Sequence, residues 1–374
     1  MPWDVKDVVD RRLELVEAML VPEVNVSRLC ERFGVSAKTA YKWKHRYEAD
    51  GADGLVDQSR VPRSSPNKTD LRIEGLVCDV RDEFPVWGAR KLKRVLARRG
   101  VRDLPAVSTI TEILRRNDRL NGLATGTVTW TRFEAEHPND LWQMDFKGWF
   151  QTGSGRCEPF DVLDDHSRFN LHLNAYGDQQ EATVKRCLSS VFGEYGMPVK
   201  VLCDNGSPWA NTQAGFRWTG LGVWLVDLGI GLSHAGIRHP QTIGKDERFH
   251  RTLKLEVIST RDCWDDHAQV QEAFDRWRPI YNHQRPHDAL DGDVPADRYQ
   301  PSTRSMPARI EPVEYPNHLH VRKVSKQSKI SFQNRRIRIG TAFVGRYVAV
   351  APTDVDGVFD IYYRDQHVRT ITLT

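Results

Sequence analysis

The sequence predicts a multidomain chain: α-helical helix-turn-helix modules, then a layered α/β core, then a small β-barrel. Three observations predict it. Helix-period apolar residues punctuated by capping residues and glycines fill the first third. Strand-like alternation then takes over near residue 129, with one strong amphipathic helix among the strands. After Pro301 short strand-forming runs are separated by turn residues. The resulting divisions are a helix-turn-helix domain at 1–58, a linker at 59–69, a second helical domain at 70–128, an α/β domain at 129–301 and a small basic β-barrel at 302–374.

The first helix carries Val8, Leu13, Leu15, Val16, Met19 and Leu20 and stops before Pro22. Ser27 is expected to cap the next, which runs through Phe33 with Leu29 and Phe33 on one face. Gly34 makes a turn, and Ser36 caps a third helix that buries Ala40, Trp43 and Tyr47 and displays Lys38, Lys42, Lys44 and Arg46. Helix, glycine turn and capped basic helix form the pattern whose second helix enters the DNA major groove. Residues 59–69 (SRVPRSSPNKT) are rich in Pro and Ser, as a linker is. Residues 71–84 are helix-like, and 87–99 form a basic helix with Leu92, Val95 and Leu96 inside and Arg90, Lys91, Lys93 and Arg94 available to DNA. Gly100 stops it, and Ser108 is expected to cap a third helix ending at Arg116.

In LWQMDFKGWF, Trp142, Met144 and Phe146 alternate with Gln143, Asp145 and Lys147. Residues 160–163 and 169–175 read as further strands around the turn-like DDHSR, and 181–193 as a helix with Val184, Leu188, Val191 and Phe192 on one side. A short buried strand at 199–203 ends at Asp204, followed by the turn pair Asn205-Gly206. Strands, helix, strand and more helices imply a layered α/β domain. Beyond Pro301, residues 329–339 and 343–350 look like strands, and Asp356-Gly357 marks a hairpin before 358–362.

Composition excludes several classes. No signal peptide is expected, because Asp4, Lys6, Asp7 and Asp10 occupy the start and no long apolar core follows. The most apolar stretch, 221–232, is too short to span a bilayer and contains Asp227, so no membrane partner is expected. Six scattered cysteines without a CxxC argue against a disulfide framework or a structural zinc site and for a reducing cytoplasm. The net charge of +4 hides an asymmetry: +5 over 1–130, −7 over 131–301 and +6 over 302–374. An acidic middle between basic ends suits a metal-binding centre flanked by DNA-gripping modules.

Asp145, Asp204 and Glu247 are the candidate catalytic and metal-binding residues. Asp145 alternates away from the core face, and Asp204 sits where a buried strand gives way to a turn, the usual place for a site in an α/β sheet. The third acid has two candidates, Asp246 and Glu247, at the start of a helix whose buried stripe is Phe249, Leu253 and Val257. Glu247 is preferred because His250, Arg251 and Lys254 share its side and can address phosphates. Arg248, Arg251 and Lys254 are expected to hold DNA near the site. All-oxygen donors suit two Mg²⁺ ions, with Mn²⁺ as a substitute. Asp161, Asp164 and Asp165 read as turn-flanking structural acids. The stretch YNHQRPHDAL reads as a packing and helix-ending element, with Arg285 a further DNA contact.

Together DFKG around Asp145, DNGSPW around Asp204, HPQTIGKDERFHRTLK around Glu247 and YNHQRPHDAL resemble the integrase-core (DDE) transposases of bacterial insertion sequences, relatives of retroviral integrases. The resemblance covers about residues 129–301. It implies a ribonuclease-H-like core and places the family's acid triad on Asp145, Asp204 and Glu247. It also implies a DNA transposase that binds terminal inverted repeats, cuts 3′ ends with Mg²⁺ and joins them to target DNA, self-associating on DNA as a dimer or larger complex in the cytoplasm at the nucleoid. The rivals are a DNA-binding regulator without catalysis and a nuclease that never joins strands. The interval of 43 residues from Asp204 to Glu247 is longer than in many relatives, and the extra length is expected in 215–231 as a loop or helix. No His/Cys zinc unit like that of retroviral integrases precedes the core.

Overall fold

The computed structural model describes residues 8–57, 69–120, 134–210, 218–234 and 244–373. It divides into two compact units, Met1–Lys68 and Thr69–Thr374. The proline-rich linker lies, apart from Thr69, outside the described residues, as does the onset of strand alternation near 129.

In the first unit, α1 (Val8–Met19), α2 (Val26–Phe33) and α3 (Ala37–Asp50) close around Leu15, Met19, Leu29, Cys30 and Ala40. Gly34 takes φ 66° at the turn, a conformation that strains any residue with a Cβ. Ser36 caps α3 by accepting from the Thr39 N–H at 3.2 Å. The cap of α2 is Asn25, whose Oδ1 accepts from the Arg28 N–H, and not the expected Ser27; Ser27 lies inside the helix, two residues past the cap position.

The second unit opens with α4 (Leu71–Glu83), α5 (Ala89–Arg98) and α6 (Val107–Arg116), packed around Val77, Trp87, Leu92, Leu96, Ile110 and Ile113. The expected cap Ser108 is also inside its helix; α6 starts at Ala106 without a side-chain cap. The core sheet follows: β1 (Leu141–Phe146), β2 (Phe150–Thr152), β3 (Gly155–Asp164), β4 (Asn170–Tyr176), β5 (Lys200–Cys203) and β6 (Gly231–His234). The strand order is β2-β3-β1-β5-β6, with β4 also on β3; β1 to β4 are antiparallel neighbours, and β5 and β6 run parallel to β1.

Because side chains alternate, each strand serves two cores. Trp142, Met144, Phe160 and Val162 face α7 (Glu181–Tyr195) and α8 (Gly220–Asp227). Cys157, Leu163 and Leu173 face α9 (Gly244–Glu256) and α10 (His267–His283). The extra length between the second and third acids folds as α8, whose residues Leu221 to Asp227 are all buried. Leu221, Trp224 and Leu225 enter the sheet core, while Val223 and Val226 enter a second core built with the carboxy-terminal strands.

After the short helix α11 (Pro295–Arg298), those strands are β7 (His320–Lys323), β8 (Lys329–Phe332), β9 (Arg335–Arg338), β10 (Tyr347–Pro352), β11 (Val358–Tyr363) and β12 (Gln366–Thr372). They form an open sheet β12-β11-β10-β7 and a separate β8-β9 hairpin, and among the described residues no pairing closes them into the expected barrel. Buried Asp227 anchors them by accepting from the Tyr363 hydroxyl and the Arg346 guanidinium. Among the described residues no helix is long and apolar enough to cross a membrane, and the six cysteines form no disulfide.

Glu256, the last residue of α9, is the polar hub between the helical module and the core. It accepts from Trp87 Nε1 at 3.1 Å, Trp277 Nε1 at 2.9 Å and Arg285 Nε at 2.8 Å. Removing it strands a nearly buried guanidinium. Glu256→Ala should therefore cost about 3–5 kcal/mol, read as a lower urea midpoint with unchanged slope. A loss below about 1 kcal/mol would contradict the role assigned to this hub.

Candidate active site

The register of β1 on β3 sets Asp145 opposite Asp161, both on the face that α9 covers. Asp161 is fully buried, and His250 Nε2 of α9 lies 2.6 Å from its Oδ1. Burial opposes a charge on His250, but Asp161 and then Asp145 hold its pKa above the ordinary range. The His250–Asp161 contact thus bridges helix and sheet. The Asp145 carboxyl is pushed up to about 7, first by burial; His250 lowers it, and Asp161 and Asp204 raise it. Its Oδ1 accepts from the Phe146 N–H at 2.8 Å.

Asp204 follows the last residue of β5. Its Oδ1 accepts from the Gly206 N–H at 2.9 Å, and its carbonyl lies 3.1 Å from His234 Nδ1. A Cβ at Gly206 would stand 2.9 Å from Asp204 Oδ2, so glycine lets the turn fold against the carboxylate. Asp145 and Asp204 are therefore within electrostatic reach of each other at adjacent parallel strands.

The first turn of α9 presents the two further acids differently. Asp246 is 1% exposed, and its Oδ1 has no partner. Burial, then Asp161, Asp145 and Asp165, push its carboxyl well up. Glu247, one position on, is exposed, and among the described residues no hydrogen bond or ion pair ties it to Asp145 or Asp204. Among the described residues no three His, Cys, Asp or Glu side chains converge as a chelating group. Asp164 and Asp165 are structural, as expected: Asp164 accepts from Asn139 and Ser167, and Asp165 from Ala135 and Gln143.

The sequence reading missed Asp161 with His250. The available signal was parity: Asp161 lies two residues before Leu163 and shares its face, so it had to be buried against whatever helix covers that side. Arg285, expected at DNA, is instead held by Glu256. Of the DNA-binding candidates, Lys38, Lys42, Arg90, Arg94, Arg248, Arg251 and Lys254 are exposed. Lys44 meets Glu48 at 3.7 Å, Arg46 lies over the Trp43 ring, and Lys91 and Lys93 are partly buried.

The raised Asp145 carboxyl has a pH consequence. Its folded pKa of about 7 stands above the ordinary 3.8, so its protonated form stabilises the fold below about pH 4, and that stability is lost as pH rises through 7. Asp145→Asn should remove this dependence and make the metal-free protein more stable at pH 8 by up to about 4 kcal/mol. Urea midpoints of both proteins at pH 5 to 8 check it; parallel pH curves would contradict it.

Comparison with known proteins places this geometry. Residues 135–240 and 228–295 match integrase core domain families, and 319–374 match the carboxy-terminal domain of IS481 family transposases. Residues 11–63 match a helix-turn-helix domain and 39–114 a homeodomain-like domain. The insertion element IS476 uncharacterized 39.2 kDa protein of Xanthomonas euvesicatoria is 27% identical over 46% of this chain, and the match spans about half (47%) of that protein's length. The transposase for transposon Tn552 of Staphylococcus aureus is 22% identical over 96% of this chain and 82% of its own. Among solved structures, the HTLV-2 integrase catalytic core domain in complex with magnesium is 14% identical, over 44% of this chain and 97% of that one, with a TM-score of 0.34. Helix-turn-helix regions, an integrase core and an IS481-type carboxy-terminal domain thus occur in one order, and along its length the chain is similar to insertion-sequence transposases of the integrase-core superfamily.

Proposed function

We propose that this protein is a DNA transposase that binds the terminal inverted repeats of its own element, cuts the 3′ ends and transfers them to target DNA. The observation that carries the reading is the Asp145–Asp204 pair at neighbouring strand ends, in a chain with integrase-core and helix-turn-helix regions. The domain divisions at 1–58, 70–128, 129–301 and 302–374 belong to the same reading.

The donor set fits a hard divalent cation. The oxygens are carboxylates, and a cation would offset the crowding that pushes Asp145 up. Asp145, Asp204 and Glu247 would hold it. Glu247 is preferred over Asp246 because ions shared with DNA phosphate need a ligand open to the substrate, and Asp246 is enclosed. Two Mg²⁺ ions, or Mn²⁺, would supply Lewis-acid stabilisation of the charge that builds on the phosphodiester. Arg248, Arg251 and Lys254, exposed along α9, hold flanking phosphates. The basic face of α3, with Lys38 and Lys42 exposed and Lys44 and Arg46 beside them, reads the element end. Joining two ends needs two sites, so a dimer or larger assembly on DNA is required.

A second reading, a DNA-binding regulator without catalysis, is favoured by one observation: among the described residues no chelating trio is assembled. One assay separates the two. With element-end DNA and Mg²⁺ the wild type should give nicked and strand-transfer products. Asp145→Asn, Asp204→Asn and Glu247→Gln should each lower both by at least about a thousandfold, an order of effect typical of losing an electrostatic catalytic group, while DNA affinity stays within about threefold. Nicks without joined strands indicate a nuclease; an inert wild type that binds DNA indicates a regulator.

A further inference from the structure

The helix α5 carries two cationic stripes, and the core claims one of them. Lys91, Arg94 and Arg98 recur at i, i+3 and i+7, one side of a helix. Arg98 makes a two-pronged pair with Asp297, at 2.6 and 3.0 Å. Arg94 lies so close to Gly292 that a Cβ there would stand 2.5 Å from its Nε. Lys91 lines a cavity of about 230 Å³ with Pro286, Asp288 and Gly292. Arg90, Lys93, Arg94 and Ala97, at i, i+3, i+4 and i+7, line an adjoining groove of about 370 Å³ whose far wall is Val107.

Two further features mark this groove as a place for an anion. Val107 opens α6, a helix of ten residues whose N-terminus has no side-chain cap, so its free N–H groups stand at the groove wall. Between Pro286 and Asp288 of the cavity lining, His287 is buried, and its Nε2 has no partner. Burial, then the positive charges of Arg285, Lys91, Arg168 and Arg248, push the His287 pKa well down. Lys91 is itself lowered to about 8, by burial and then by Arg285. Asp288 and Asp291 are the opposing acids at the cavity; Arg90 approaches Asp288 at 3.9 Å, and Arg298 approaches Asp291 at 3.8 Å. The cations outnumber them, and Arg248 adjoins Glu247.

We propose that α5, the start of α6 and residues 285–292 of the core form one cleft that clamps the DNA sugar–phosphate backbone. On this assignment α5 is not a major-groove reader. A recognition helix must project into a groove about 12 Å wide, whereas the core packs along one flank of α5. Phosphate contacts position DNA and carry no sequence information, so this module fixes where the duplex lies relative to α9, and sequence reading falls to α3. The inference rests on the reading that the chain binds element DNA, but its test needs no catalysis.

The test is anisotropy of the full-length protein with two fluorescent duplexes, the element end and a scrambled sequence, over a salt series. Lys93→Ala/Arg94→Ala changes side chains at the groove and leaves the helical core intact. It should weaken both duplexes by the same factor, about tenfold or more at moderate salt, and lower the slope of log K against log salt by about 1.8, two released phosphate contacts. Asp288→Asn should tighten both equally. A loss confined to the element end would overturn the proposal in favour of base reading by α5, and unchanged affinity and slope would overturn it outright. Normal nicking by the wild type beside either of these results would leave the transposase reading standing while this one falls.

Discussion

The central constraint on this fold is the desolvation of carboxylates on one face of the core sheet. Asp145, Asp161 and Asp246 come from β1, β3 and α9, and burial is the leading reason their carboxyls resist ionisation. An apolar core would avoid that penalty, which reaches several kcal/mol for an uncompensated ion. The Phe146 N–H offsets part of it at Asp145, at 2.8 Å, and between sheet and helix the chain sets His250 against Asp161 at 2.6 Å. That contact also fixes the rotation of α9, and so decides that Asp246 points inward and Glu247 outward. On the proposed reading, a divalent ion and DNA would complete the charge balance of these crowded carboxylates, reached from the exposed Glu247.

The same helix links the site to its surroundings. Its first turn carries Glu247 and its last residue is Glu256, about 14 Å apart at the rise of an α-helix. Glu256 binds Trp87 at the entrance to α5, so the helical module at 71–116 is packed on the catalytic core and is not a free appendage. On the opposite side, α8 belongs to two cores at once, and Asp227 ties it to the carboxy-terminal strands. The segment between the second and third acids therefore joins layers. DNA gripped by α5 and phosphates held along α9 would refer to one rigid frame.

Much of this was legible in the sequence because it depends on local periodicity. Trp142 and Met144 faced one core and Asp145 the other, as alternation required. Val184, Leu188, Val191 and Phe192 were the buried face of α7, and Phe249 and Leu253 that of α9, with Val257 buried just past its end. The misses depend on partners far along the chain or on one-residue shifts. Ser27 and Ser108 are each the second residue of their helix, two past the cap position, and boundary residues are the least determined by pattern. Arg285 looks like any basic residue until Glu256, 29 positions away, is brought beside it. The mostly apolar α8 ends in Asp227, and that its two faces serve different cores is decided by tertiary packing alone.

The direct test of the account is where a divalent ion sits. Crystals of the protein grown with element-end DNA and soaked in Mn²⁺ should show anomalous peaks bounded by carboxylate oxygens of Asp145, Asp204 and Glu247, at the metal–oxygen distances of about 2.0–2.2 Å usual for such ions. Peaks bound by Asp246 in place of Glu247, or none near Asp145 and Asp204 at saturating Mn²⁺, would contradict it.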